Sequence, residues 1–522
     1  MAASTVPGGG LAQSFASSLS RAWEHPMVRR GFWGMCLIGT GSLTPAFLPP
    51  DAPILQTLHL GFLERGPGRV VATVLVMLGV AVLLDAWLRM RPGPGRPTVP
   101  GITWLIWSLP VLLAPPLFSR DAYSYAAQGL VVARGMDAYL TGPISVPGPF
   151  ADQVDPMWLY TPAPYGPVAL QMQHLIVWLS AGNAYAAAVG MRVPALLSVA
   201  VLAWALPRLA VRVGVSPHQA RWLGVLNPMV MMHLIGGAHQ DAMMIALVVL
   251  GLLVATRGHL VTASMAVAAG AGFKQTAILA LIGVAALSVR ARSGTNLVTY
   301  RKYLTSCAIA GTTALATFQA LTLWTGLGWG WVPNMAVPTL LRSLLSPPTL
   351  LGSIIEGIMY LLGMPRAWTQ VPVPALRTLG VVLTMCAWVW LTLRVAPRRP
   401  MTAVSGAFLV LCLGGPVIHP WYMLWGGVLL GATRLSRRAL QAVVWVTAFF
   451  CAYSAIDVAF SNGVWALGLT AIAWTVWKFR GPAEHIVDWH QSAGLTARDR
   501  EANAARPAAD AGRTVSRAAR AD

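Results

Sequence analysis

Four residues in the stretch FSRDAYSYAAQG (118–129) have side chains that could do chemistry together. Asp121, Ser124, Tyr125 and Gln128 fall at i, i+3, i+4 and i+7, so a helix would present them on one face. They follow the apolar run ITWLIWSLPVLLA (102–114), which puts an acid at a lipid–water edge, with Arg120 beside it. A carboxylate there is placed to take a proton from a hydroxyl. The same spacing suits a plain helix start, with Ser119 or Asp121 capping the first turn and the tyrosines in an interfacial aromatic belt. Composition tips the balance towards chemistry, because 119–165 also holds Asp137, Tyr139, Asp152, Asp155, Tyr160 and Tyr165.

Other polar groups interrupt apolar sequence further on. In LYTPAPYGPVALQMQHLIVWL (159–179) prolines stiffen a turn around Tyr165 before an amphipathic helix with Gln171, Gln173 and His174. That helix should lie along the outer surface and pack over the site; an ordinary connector is the competing reading. In GGAHQDAMM (236–244) two glycines end one apolar run, and His239, Gln240 and Asp241 open the next. A helix start with His and Gln suits phosphate oxygens, whereas Asp241 equally suits a cap. In GFKQTA (272–277) Lys274 is a cation flanked by apolar residues, fit to hold a phosphate or to snorkel towards headgroups. In VIHPWYML (417–424) His419 adds a donor, and Trp421 and Tyr422 offer flat faces of the kind that stack on sugars.

What must hold these residues is a membrane domain. Of the 522 residues, 56% are hydrophobic and only 10% charged, against about a quarter charged in soluble domains. Apolar runs fall at about 32–50, 70–90, 102–118, 186–210, 219–236, 241–257, 260–273, 275–290, 302–326, 372–396, 401–418, 421–434, 439–457 and 463–479. The expectation is an all-α polytopic membrane protein with about 13–14 transmembrane helices and external amphipathic helices.

Net charge is +20, and most of it is arginine, since the lysines are Lys274, Lys302 and Lys478 alone. Basic clusters (Arg21, Arg29, Arg30; Arg89, Arg91, Arg96; Arg208, Arg212, Arg221; Arg290, Arg292, Arg301, Lys302; Arg394, Arg398, Arg399; Arg434, Arg437, Arg438) all fall on one side of this span pattern. That side is the cytoplasmic one, so the charge reports membrane orientation and no nucleic-acid partner is expected. Residues 1–31 form a cytoplasmic tail in this scheme. The transmembrane domain runs over 32–480, with 119–185 as the first long external loop and 331–371 as short helices on the external interface. A disordered cytoplasmic tail covers 481–522.

The five cysteines sit in apolar runs at spacings that suit neither a metal site nor disulfides, and read as small buried side chains. No cleaved signal peptide is evident at the N-terminus. There is no Gly-rich phosphate loop, no paired zinc ligands and no Gly-x-Ser-x-Gly turn. An enzyme of this composition would draw on a lipid-linked donor.

With FSRDAYSYAAQG, APYGPVAL (163–170), LNPMVMMHLIGGAHQD (226–241), FKQTA (273–277) and HPWY (419–422) in this order, the chain resembles the actinobacterial polyprenyl-phosphomannose-dependent α-1,6-mannosyltransferases of lipomannan and lipoarabinomannan core synthesis. The resemblance covers roughly residues 30 to 480 and implies a GT-C glycosyltransferase fold. It implies a polyprenyl-phosphate-mannose donor and a mannosylated glycolipid acceptor, of the phosphatidylinositol or another type, met at the external face of the plasma membrane. In the GT-C pattern an acid in the first long external loop is the general base, and Asp121 matches that position.

On that reading Lys274, His239 and Arg120 hold the donor phosphate. Tyr125, Gln128, Tyr165, Gln240, Asp241, His419, Trp421 and Tyr422 contact sugar or acceptor. No cofactor is expected, although Asp121 with Asp241 leaves room for one divalent ion. The competing readings are a GT-C enzyme for another polyprenyl-phosphate sugar, arabinose or glucose, and a polytopic transporter or lipid flippase.

Overall fold

The computed structural model describes residues 10–43, 48, 53–64, 66–93, 98–295, 298–460 and 463–480. Every regular element among them is helical. The expected tail 481–522 lies outside the described residues. Within residues 1–31, Gly10–Glu24 is a helix, and Pro26–Gly41 follows after His25 with a proline in its first turn.

Among the described residues six helices are long and apolar enough to cross a bilayer: Pro67–Arg89, Ala184–Arg212, Gln275–Ser293, Tyr300–Thr325, Arg366–Val395 and Arg437–Asp457. Each coincides with an expected span. A seventh crossing is formed if Val230–Gly236 and Asp241–Ala255, bent by 111°, count as one. Other apolar runs fold into pieces too short to meet that measure. Leu260–Ala271 and Pro400–Gly414 are such pieces, and 102–118 yields only Thr103–Ser108 and the turn Leu109–Val111. Glycine and proline divide several of these apolar runs into shorter helices. Residues 331–371 form the short helices Trp331–Asn334 and Arg366–Thr369 around Pro347–Leu361. Cys412 and Cys451 are buried as expected, but Cys386 is exposed on the outer surface of the bundle.

Three packing arrangements position the site. Helix Asp121–Ala133 lies against Pro167–Leu179, and Gly129 makes this close, because a methyl there would meet the Gln173 backbone at 2.6 Å. Asp241–Ala255 and Leu260–Ala271 form an antiparallel hairpin. One helix leads away from Asp241 and the other returns to Lys274, each roughly 20 Å long at 1.5 Å per residue. Gly166 N–H donates to Phe273 O (3.3 Å), Ala169 N–H to Gly272 O (3.1 Å) and Gln275 Nε2 to Pro164 O (3.2 Å). The turn carrying Tyr165 is thereby tied to the turn carrying Lys274.

Arg192 forms a fourth tie that periodicity did not announce. It is buried, and it donates to the carbonyls of Leu112, Ala114, Pro115, Ile235 and Gly236. It thus joins the segment entering Phe118–Asp121 to the segment entering His239–Asp241. Both segments also contain a non-glycine residue at positive φ, Phe118 (57°) and Ala238 (54°). Such backbone is costly and persists only where its surroundings impose it.

Candidate active site

Asp121 is the first residue of its helix, and its backbone N–H donates to Ser119 Oγ (3.0 Å). The carboxylate does not cap the helix. Its Oδ2 lies 3.4 Å from the Tyr125 hydroxyl, one turn on, and 3.6 Å from His239 Nδ1. The Tyr125 hydroxyl is also 3.4 Å from His239 Nδ1, and the Tyr125 ring meets Tyr165 edge to face at 5.4 Å. Burial pushes the Asp121 carboxyl up to about 6, while the Ser119 hydrogen bond and the charge of Lys274 pull it down. A carboxylate titrating there is ionised at neutral pH and basic enough to accept a proton.

Asp241 likewise opens its helix without capping it. Its Oδ1 accepts from Lys274 Nζ (2.7 Å) and from Trp425 Nε1 (2.6 Å). The Lys274 ammonium also sits 4.4 Å from the Tyr422 ring centroid and 4.6 Å from that of Trp425, within the range of cation–π attraction. The two groups of residues are joined by a stack. His239 lies on one side of Trp421 at 3.9 Å and His419 stacks on the same indole at 4.5 Å. Burial holds the His419 imidazole down at about 4, so it is neutral.

Exposure sorts these residues into two rows. Asp121 and Lys274 each keep 13% of the side chain exposed, and Tyr165, His419 and Tyr422 are half-buried. Behind them Tyr125, Gln128, His239, Gln240, Asp241, Trp421 and Trp425 are buried. Gln240 accepts from Gln173 Nε2 (3.1 Å). His239 Nε2, Gln240 Nε2, Asp241 Oδ2 and Gln128 Oε1 have no hydrogen-bond partner, a concentration of unpaired polar atoms that is unusual for a core.

Most of the residues expected from sequence are therefore brought together, but several take other positions in the site. Arg120 turns away to donate to the Leu48 carbonyl (3.1 Å). His239 is buried behind Asp121, and Asp241 is the ion-pair partner of Lys274. Two imidazoles stack on the buried Trp421, and Tyr422 lies against Trp425 (4.4 Å) and beneath Lys274. Among the described residues no group of three or more His, Cys, Asp or Glu is arranged to hold a metal ion. Sequence reading missed Trp425, although WYMLW puts a third aromatic four residues after Trp421, on the same side of the chain. It also assigned no role to Gln173.

The alpha-(1->6)-mannopyranosyltransferase N-terminal domain matches residues 28–290, and the MptB C-terminal domain matches residues 348–481. Alpha-(1->6)-mannopyranosyltransferase A of Mycobacterium tuberculosis is 32% identical over 81% of this chain and 84% of its own length. A second alpha-(1->6)-mannopyranosyltransferase of that organism is 30% identical over 91% of this chain and 92% of its own. Alpha-(1->6)-mannopyranosyltransferase B of Corynebacterium glutamicum is 30% identical over 82% and 77%. No solved structure matches the chain. Both domains match in order, and relatives align across most of their length. The chain belongs to the alpha-(1->6)-mannopyranosyltransferase family and is a multi-pass membrane glycosyltransferase.

Proposed function

We propose that this mannosyltransferase is inverting, takes its sugar from a polyprenyl-phosphate mannose and uses Asp121 as general base. The observation that carries the reading is the pair of part-exposed, opposite charges at the front of the site: Asp121, which opens the helix packed on Pro167–Leu179, and Lys274, on the turn tied through 272–275 to the 164–169 segment that leads into that second helix. Such a pair has what the transfer needs: a base for a hydroxyl and a cation for a leaving phosphate.

The acceptor is a mannosylated glycolipid, of the phosphatidylinositol type or another, presenting a primary hydroxyl at the external face of the plasma membrane. Asp121 takes the hydroxyl proton as the oxygen bonds to C1 of mannose. The bond from C1 to the phosphate oxygen breaks on the opposite face, and its electron pair leaves with the polyprenyl phosphate. A β-linked donor thereby gives an α-1,6 bond. Lys274 stabilises the departing charge electrostatically, with the neutral His419 beside it as a hydrogen-bonding group. A single lysine matches a monophosphate leaving group better than a pyrophosphate. His239 and Tyr125, buried behind Asp121, orient its carboxylate. No metal ion is assigned to the step, and transfer is expected to persist in EDTA.

The test uses purified protein in detergent with labelled polyprenyl-phosphate mannose and a short α-1,6-mannoside acceptor. Wild type should give an α-1,6-linked product and Asp121→Asn almost none. Use of an arabinosyl or glucosyl polyprenyl phosphate in preference to the mannosyl donor would replace the donor assignment. Equal turnover by Asp121→Asn would remove the base.

A further inference from the structure

We infer that Trp425 is a positioning residue of the transfer reaction: its indole N–H fixes the Asp241 carboxylate so that Lys274 is presented to the donor phosphate. The inference rests on the donor reading above and concerns a residue that lies wholly behind the front of the site. One oxygen, Asp241 Oδ1, accepts both the Trp425 indole (2.6 Å) and the Lys274 ammonium (2.7 Å). A carboxylate oxygen has two lone-pair directions, and these two donors fill them. The other oxygen, Oδ2, is buried without a partner.

Left to itself, a buried carboxylate beside an ammonium would rotate to bring both oxygens to the cation. The indole bond prevents this by holding the carboxylate plane. Lys274 is therefore held through one oxygen, between the ring faces of Tyr422 (4.4 Å) and Trp425 (4.6 Å). Among the described residues Asp241 is the only hydrogen-bond partner of the ammonium, so ammonium protons remain for an anion arriving at the open side. Trp425 acts twice here, as donor to the counter-ion and as a wall against the ammonium.

Two substitutions separate those roles: Trp425→Phe keeps a ring face and removes the N–H, and Trp425→Leu removes both. Binding of a polyprenyl monophosphate in detergent micelles is measured for wild type, Trp425→Phe, Lys274→Met and the double variant, together with KM for donor and acceptor. Trp425→Phe should weaken phosphate binding and donor kcat/KM by about tenfold, the loss expected for one hydrogen bond to a charged group, with acceptor KM unchanged. Trp425→Leu should weaken them further. In the Lys274→Met background Trp425→Phe should cost nothing more, because its effect passes through Lys274.

The inference is overturned if Trp425→Phe binds like wild type, if its loss is equally large without Lys274, or if acceptor KM rises in step. A wild type that transfers mannose but does not bind polyprenyl monophosphate would overturn the donor reading as well.

Discussion

Asp121 Oδ2 and His239 Nδ1 stand 3.6 Å apart, with the Tyr125 hydroxyl 3.4 Å from each. The carboxylate opens the helix Asp121–Ala133 and the imidazole comes from the bend in a broken helix pair. Their meeting is held by the Arg192 guanidinium, which bonds the backbone leading into both. A part-exposed base with a buried imidazole and phenol at its back is a preorganised acceptor for a proton. Four expectations follow from this geometry.

Asp121→Asn should lower transfer by about 10²–10⁴, measured as initial rate with saturating donor. In wild type the rate should fall as pH drops through about 6, where the carboxylate protonates. Stability runs the opposite way. A carboxyl raised from 3.8 to about 6 favours the protonated fold, so its destabilising effect grows through that window and is complete above it. Asp121→Asn should therefore melt no lower than wild type at pH 7, and the difference should close below about pH 4.

Lys274→Ala should weaken transfer by a smaller factor, about 10–10², and chiefly through the donor. Lys274→Arg should restore little of it. The planar guanidinium does not fit the space between Asp241, Tyr422 and Trp425 that holds a compact ammonium. Donor KM measured for both variants decides this.

A methyl group on Gly166 would overlap the Gly272 carbonyl. Gly166→Ala should therefore push the Tyr165 turn off the Lys274 turn. About 1–3 kcal/mol of stability is expected to be lost, with a fall in kcat larger than in a surface control. Thermal unfolding in detergent and turnover, measured on the same sample, test both.

Arg192→Met should remove a side-chain donor shared by five carbonyls at once, those of Pro115, Ile235 and Gly236 buried and those of Leu112 and Ala114 half-buried. An unpaired buried group costs about 1–3 kcal/mol, so the variant should fail to accumulate as a folded protein. Folding at wild-type yield with normal activity would show that the tie is dispensable.

The fold class was legible in the amino-acid sequence because lipid imposes a simple rule: long apolar runs must form helices, and polar groups between them need a reason to be there. That rule determined the all-α polytopic architecture, and it singled out Asp121, His239, Asp241, Lys274 and His419 as residues of one site. It did not determine their partners. Lys274 and Asp241 are 33 residues apart, Tyr125 and His239 114, and Trp425 and Asp241 184. No local periodicity encodes contacts across such distances. Aromatic residues are the sharpest case, because a ring that stacks on a sugar and one stacked with imidazoles read alike in sequence. Only tertiary structure decided that Trp421 is stacked with His239 and His419, that Arg120 donates to Leu48 and that Trp425 stands behind Lys274. Whether a short apolar helix faces lipid or protein is set at the same level, by its neighbours.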